Sequence, residues 1–429
     1  MKEPIFIVDG VRTPFAKAGT ILADTEAVEL GKTAISLLLA RTGIDPAKIE
    51  EVIIGCVGQP AEAANIGRVV ALRAGIPESV PAITVHRNCA SGFEAVTQAA
   101  EKMIAGRGDV FIAGGVENMS QVPMIYDYET AKKFGALARA KNLGQKLGVL
   151  STFRPSDFKP RIGLQLGLSD PISGSNMGQT AENLSRDFNI SRGRQDQFAM
   201  QSHHKAIAAR AKLHEEITPV YLTKSRNGKP FMDQDNGPRE NQSLEALAKL
   251  KPVFEPATGT VTAGNSSQIT DGGAALLLMT EKALKESGLT PLGRLLGYAY
   301  AGLDPSRMGL GPLYAIHRAE QRVGLTLEDA EIIEINEAFA AQVLACQDAA
   351  KSDDYCRKHL GRKSALGEIP DEILNVNGGA IALGHPVGVT GSRLVLTALK
   401  ELHRRNAERA LVSLCVGGGQ GGALWLSRN

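Results

Sequence analysis

Apolar residues along the first 118 positions alternate between two periods. Short runs rich in Ile and Val, PIFIVDG (4–10), EEVIIGCV (50–57), AITV (82–85) and DVFIAGG (109–115), are separated by longer stretches at 26–42, 62–74 and 90–105. The short β-branched runs predict strands. The longer stretches, apolar at every third or fourth position, predict amphipathic helices. Their alternation predicts an α/β protein whose mixed or mostly parallel sheet is buried between helices. PAITV (81–85) reads as a short buried strand feeding the helix at 90–105.

The pattern then recurs. TGIDPAKIEEVIIGCVGQ (42–59) and VGLTLEDAEIIEINEAFAAQ (323–342) share a helix end, a glycine, a short turn and an acidic residue entering an Ile/Val strand. NCASG to DVFIAGGVEN (88–118) is echoed by GHPVG to RALVSLCVGGGQG (384–421), each a loop, a helix and an apolar strand ending in glycines. Such self-similarity predicts a duplicated fold. The expected units are residues 1–118 with 269–290 as one half, 291–429 as the other, and 119–268 as an insertion. The insertion reads as loop-rich and polar, and an excursion of that size usually covers or completes a site. Between Lys132 and Arg161 it holds eight Lys or Arg residues against one acid, Asp157.

Composition narrows the functional classes. The chain has 429 residues, 43% of them hydrophobic, and 48 basic against 46 acidic side chains, a net charge of +2. No global field points to nucleic acid or an anionic membrane. The longest apolar runs, such as AALLLM (274–279), fall far short of the roughly 20 residues of a membrane-spanning helix. MKEPIFIVDG enters a strand-like run without the layout of a secretory signal, so a cytoplasmic home is expected. The five cysteines, at 56, 89, 346, 356 and 415, form no C-x-x-C pair, which argues against a disulfide framework or a structural zinc site. The adjacent His203 and His204 lack metal-ligand spacing. GGGQGG (417–422) is followed by ALWLSRN and not by the helix a dinucleotide fingerprint requires.

Candidate chemistry begins at Cys89. It stands where a strand turns into a helix, and a helix N-terminus stabilises negative charge, so its pKa is expected to fall toward neutrality. In the repeat, His385 occupies the corresponding loop, which makes it a candidate base for Cys89. Glycines around His385 and after Cys415 leave backbone N–H groups uncovered, as an oxyanion pocket needs. Cys415 ends an apolar strand at the same edge and supplies a second thiol.

Together NCASG (88–92), NEAF (336–339), GHPVGVTG (384–391) and CVGGGQG (415–421) resemble, in order and spacing, the four active-site blocks of the thiolase family. VDGVRTPF (8–15) and GTVTAGNSSQITDGGAA (259–275) are similar to further thiolase segments. The resemblance implies duplicated βαβαβαββ halves in a five-layered αβαβα sandwich, with a loop domain that covers the active site and binds coenzyme A. It also implies a set of roles: Cys89 as nucleophile, His385 as its base and Cys415 as the acid/base for the acetyl fragment. Asn336 would hold a water that forms one oxyanion hole with His385, and the N–H groups of Cys89 and Gly417 would form the other. Arg239 and Ser267 match coenzyme contacts, and Met177 and Met308 match pocket methionines. His86, Asn176, Ala246 and Gln268 depart from residues common in the family, the last three from those of its short-chain members. The basic stretch 132–161 is similar to the loop domain of the branch that forms the β subunit of the fatty-acid oxidation trifunctional complex, although Asn336 stands where that branch usually has histidine. The implied activity is 3-ketoacyl-CoA thiolysis, with acetyl-CoA C-acetyltransferase as the alternative. A ketoacyl synthase would not need a Cys415 equivalent, and a non-enzymatic scaffold would show a broken block. Acyl-CoA and CoA are the implied substrates, with no permanently bound cofactor. A homodimer or homotetramer, and a complex with a β-oxidation hydratase/dehydrogenase subunit, are the implied assemblies.

Overall fold

The computed structural model describes residues 4–226 and 229–429. The first half runs β1 (Ile5–Arg12), α1 (Ala27–Thr42), β2 (Glu51–Gly55), α2 (Ile66–Arg73), β3 (Ala82–Val85), α3 (Ser91–Ile104), β4 (Val110–Glu117) and, after the insertion, β5 (Thr270–Thr280). The second runs β6 (Gly293–Gly302), α4 (Gly311–Val323), β7 (Ile332–Ile335), α5 (Ala340–Ala350), α6 (Thr390–Arg405), β8 (Arg409–Val416) and β9 (Gln420–Ser427). Strand order is β3-β2-β4-β5-β1 in the first half and β7-β8-β9-β6 in the second. The halves match strand for strand except at β3, whose counterpart is a single parallel bridge from Leu374 to Ile333. β2 pairs in parallel with β3 and β4, as β7 does with β8, and the β4–β5 and β8–β9 pairs are antiparallel. A short β1–β6 ladder, from Ile5 opposite Leu295 to Ile7 opposite Gly293, joins the half-sheets edge to edge.

The sequence echo rests on shared local chemistry. α1 ends at Gly43 in the left-handed conformation, its N–H bonded to Leu39 O, and α4 ends the same way at Gly324 on Glu320 O. Glycine takes that cap without the penalty a Cβ would incur. A short turn follows each, capped by Asp45 in one half and by Thr326 with Asp329 in the other, and then comes the strand.

Three apolar clusters separate five layers. Val52, Ile54 and Ile112 face outward onto Leu30, Ile35 and Leu38 of α1 and Val70 of α2. Ile333, Leu411 and Trp425 face outward onto Leu313 and Ile316 of α4 and Val343 of α5. The alternate positions, Ile53, Ala113, Val412 and Leu424, face inward onto the central helix pair, Phe93 and Val96 of α3 with Leu394, Val395 and Leu399 of α6. Alternation of period two, with both faces covered, produces this layering.

Two expectations are corrected. PAITV forms a strand, but β3 is the edge of the sheet: Val85 is buried while Ile83 is 38% exposed. The insertion is not loop-rich, since it carries helices at Tyr128–Arg139, Leu143–Leu150, Met177–Asp187 and Arg192–Ala208. The buried Arg12 ties it to β1, with Nε donating to Glu216 Oε2 at 3.2 Å and Nη1 and Nη2 to the Asp235 carboxylate at 2.7 and 2.8 Å.

Candidate active site

The turn from β3 to α3 is built to present Cys89. Asn88 holds a positive φ of 44°, a conformation asparagine tolerates better than most residues, and its Nδ2 donates to Gly417 O at 2.8 Å. Ser91 Oγ accepts from Arg87 N at 2.9 Å and donates to Asn88 O at 2.7 Å, closing the turn. Arg87 pairs with Glu94 at 2.5 Å and lies 4.1 Å over the Tyr300 ring, so it bridges the Cys89 turn to the other half. Gly92 and Gly391 let α3 and α6 meet at their N-termini. A Cβ on Gly92 would stand 2.7 Å from Ser392 N, and one on Gly391 would stand 2.3 Å from Phe93 N.

Electrostatics overturn one expectation. Burial pushes the Cys89 thiol up from its ordinary value and outweighs the backbone N–H groups of Gly417 and of Cys89 itself, which act to lower it. Cys89 therefore rests as a thiol and needs a base. His385 is suited to the task. Burial first, and the positive Arg393 second, hold its pKa down to about 3, so the ring is neutral at physiological pH. His385 Nδ1 lies 2.6 Å from Thr390 Oγ1, whose own proton goes to Pro386 O at 3.1 Å. The hydroxyl must then accept from Nδ1–H, which leaves Nε2 as the basic nitrogen. Asn336 Nδ2 lies 3.4 Å from that Nε2, and Asn336 Oδ1 is buried without a hydrogen-bond partner among the described residues. Cys415 is fully buried, and its thiol is pushed up strongly, by burial first and then by the nearness of the Cys89 thiol, which would disfavour a second negative charge.

The remaining candidates divide. Met177 lines Gly417, its Sδ 3.3 Å from where a Cβ would stand, and Met177, Met308, Phe254 and Phe339 form one apolar cluster with Cys415. Ser267 N bonds Ala338 O at 2.9 Å, which places it beside NEAF. Arg239 is exposed, with its backbone N–H held by His203 Nδ1 at 3.1 Å. Its loop reaches the His385 turn through Gln268, which bonds Gly237 O by its side chain and His385 N by its carbonyl.

Four residues that position the site were not singled out from the sequence: Arg87, Asn88, Thr390 and Glu117. Glu117 is buried and accepts from Val57 N, Gly58 N and Gly388 N at 3.1, 2.7 and 2.8 Å, fastening the His385 loop to the first half. Threonine at a helix start reads as an ordinary cap, and nothing local to Glu117 reveals three donors from two distant loops.

A cysteine flanked by convergent N–H donors, a neutral imidazole and a second buried thiol make this fold an acyl-transferring thiol enzyme. Residues 5–282 match the thiolase N-terminal domain and residues 289–428 the thiolase C-terminal domain. The chain belongs to the thiolase family. It is 41% identical over 425 residues to a 3-ketoacyl-CoA thiolase of Serratia proteamaculans, covering 98% of this chain and 96% of that one. Among solved structures, an acetyl-CoA acetyltransferase of Bacillus anthracis superposes with a TM-score of 0.85 at 37% identity, covering 99% of this chain and 98% of that one. Human mitochondrial 3-ketoacyl-CoA thiolase in complex with CoA gives 0.85 at 36% identity, with the same coverage.

Proposed function

We infer that this chain is a 3-ketoacyl-CoA thiolase, which cleaves a 3-ketoacyl-CoA with CoA to give acetyl-CoA and a shortened acyl-CoA. The observation that carries the reading is the buried thiol of Cys415 beside Cys89. Cleaving a carbon–carbon bond requires a proton donor for the departing carbanion, in addition to the nucleophile.

In the proposed mechanism His385 Nε2 takes the proton of Cys89, and the thiolate attacks the 3-keto carbon. The developing alkoxide is met by the N–H groups of Cys89 and Gly417, which already favour negative charge at the sulfur. Collapse breaks the C2–C3 bond, leaves an acyl thioester on Cys89, and passes the electron pair to the acetyl-CoA enolate, which Cys415 protonates. The Cys415 thiolate then removes the proton of the incoming CoA thiol. That sulfur attacks the acyl-enzyme, the N–H groups of Cys89 and Gly417 receive the charge on the same oxygen again, and Cys89 leaves and recovers its proton from His385; the enolate oxygen of the first half is the charge received by the hole of His385 and a water held by Asn336. Run backward, the same steps form a carbon–carbon bond. Arg239 and Ser267 contact the coenzyme, and Met177 and Met308 line the pocket.

Medium and long acyl chains belong to the substrate range. The pocket wall is apolar, and Asn176 is committed to capping the helix Met177–Asp187 in a reciprocal pair with Gln179. The Bacillus anthracis likeness supports acetyl-CoA C-acetyltransferase as the second reading. We place the enzyme in the cytoplasm as a homodimer or homotetramer, able to join a hydratase/dehydrogenase subunit of β-oxidation. Steady-state thiolysis across short, medium and long 3-ketoacyl-CoA substrates tests the reading. Comparable or higher kcat/KM for the longer chains supports it; turnover confined to acetoacetyl-CoA selects the alternative, and no thiolysis of any chain refutes both.

A further inference from the structure

Asn336 is fully buried, yet little holds its side chain. Nδ2 lies 3.4 Å from His385 Nε2, and Oδ1 has no hydrogen-bond partner among the described residues. The direction of this amide is therefore set by its backbone. Asn336 N donates to Ser413 O at 3.0 Å, and the residues on either side are fixed by one side chain, that of Asn375. Asn375 is buried beside β7, its N–H bonded to Ile333 O at 2.9 Å, and it holds a positive φ of 45°. Its Oδ1 accepts from Ile335 N and its Nδ2 donates to Ile335 O, both at 2.9 Å. Nδ2 donates again, to Glu337 Oε1, at 2.9 Å.

Glu337 completes the clamp. It is buried, and its Oε2 accepts from Ser202 Oγ at 2.6 Å and from Ile381 N at 3.2 Å. Ser202, on the helix Arg192–Ala208, accepts in turn from Gly379 N at 3.2 Å. Two glycines let the chain lie against this group. A Cβ on Gly379 would stand 2.2 Å from Glu337 Cδ, and one on Gly378, whose φ is +77°, would stand 2.6 Å from Ser202 O. Ser202, Asn375 and Ile381 all donate, so the carboxylate serves only as an acceptor. Packing does not explain it, since an apolar side chain of similar volume would fill the space at no greater cost in stability. What the carboxylate does is join three segments: the insertion, NEAF and the loop that leads to His385.

We propose that Glu337 and Asn375 are positioning residues for the carbon–carbon cleavage step: gripping the chain on both sides of Asn336, they aim its amide so that it completes, with His385, the hole for the enolate oxygen. The inference rests on the thiolase reading, in which that hole serves the first half-reaction alone. Transfer of an acyl group between CoA and Cys89 relies instead on the N–H groups of Cys89 and Gly417. His385 has anchors of its own, with its N–H on Gln268 O at 3.1 Å and its Nδ1 on Thr390 Oγ1 at 2.6 Å. Loosening the clamp therefore leaves the base in place and displaces Asn336, and the loss should be selective.

The test measures the two half-reactions separately in Glu337→Gln and Asn375→Gly. In the first, either orientation of the new amide sets an NH2 group against a donor, Asn375 Nδ2 or Ile381 N. In the second, glycine takes the positive φ without strain and the clamping amide is gone. Each variant should lower kcat for thiolysis of a 3-ketoacyl-CoA about 10²-fold, with KM within about threefold of wild type. Acylation of Cys89 by a saturated acyl-CoA and its discharge by CoA, followed by rapid quench and intact mass, should also stay within about threefold. If one variant fails to fold, the other decides. Cleavage at the wild-type rate in a folded variant overturns the proposal, and so do equal losses in both half-reactions or two variants that fail to fold, which assign the cluster to general support of the fold. A wild-type enzyme that cleaves no 3-ketoacyl-CoA refutes the thiolase reading and this inference with it, whereas an active wild type with unaffected variants refutes the inference alone.

Discussion

Thr390→Val removes one oxygen from behind the proposed base and keeps the shape of the side chain. Thr390 Oγ1 is the partner of His385 Nδ1 at 2.6 Å, in a setting where both residues are buried. Without it the Nδ1–H has lost its acceptor, and an unpaired buried donor costs about 1–3 kcal/mol. The cost grows as Nε2 takes the Cys89 proton, because the imidazolium then donates from Nδ1 with full charge. The loss therefore falls on kcat and on the rate of Cys89 acylation and leaves KM nearly unchanged. At about 1.4 kcal/mol per factor of ten, kcat should drop roughly 10- to 100-fold. Thr390→Ser restores the oxygen and should recover most of the loss. The assay is steady-state thiolysis of one 3-ketoacyl-CoA together with the pH dependence of Cys89 alkylation. A Thr390→Val enzyme within about twofold of wild type in kcat, alkylating at the wild-type rate, would refute the tautomer argument and with it the role of Nε2 as base.

Cys415→Ala should acylate normally from an acyl-CoA donor yet lose about 10²- to 10⁴-fold in thiolysis turnover, measured by burst and steady-state kinetics; wild-type turnover removes Cys415 from the mechanism. His203 makes a stability prediction with a definite sign. Burial first, and then Arg239 and His204, hold its folded pKa down to about 4, whereas the unfolded chain titrates near about 6.5. The unfolded state alone takes up the proton as pH falls from 6.5 toward 4, so stability declines over that window, by about 2 kcal/mol between about pH 7 and pH 5. His203→Asn keeps an acceptor for Arg239 N–H without the titration. Between about pH 7 and pH 5 in urea unfolding it should lose about 2 kcal/mol less than wild type, and equal losses would refute the assignment.

The legible part of this molecule was its periodicity. Gly43 and Gly324 close equivalent helices before equivalent strands, so the duplication could be read from two short segments whose turn chemistry is local. The four blocks containing Cys89, Asn336, His385 and Cys415 were legible as a resemblance, and Cys89 joins the other three only when the halves meet. Their electrostatics were not legible. A helix N-terminus pointed to a lowered Cys89 pKa, but burial, which the folded chain creates and the local segment does not display, raises it. Glu117, Arg87 and Thr390 were missed for the same reason, since each acts across the junction or around a turn whose closure the sequence does not display. The exposure of β3 depends on its lying at the sheet edge, which AITV in isolation does not reveal.

The central claim is that catalysis proceeds through an acyl thioester on Cys89. It is tested most directly by incubating the enzyme with an acyl-CoA in the absence of free CoA, quenching in acid, and measuring intact mass followed by peptide mapping. The account predicts one acyl group per chain, on the peptide carrying Cys89, discharged by added CoA and absent from Cys89→Ser. An acyl group mapped to Cys415, or an adduct that persists in Cys89→Ser, would contradict it.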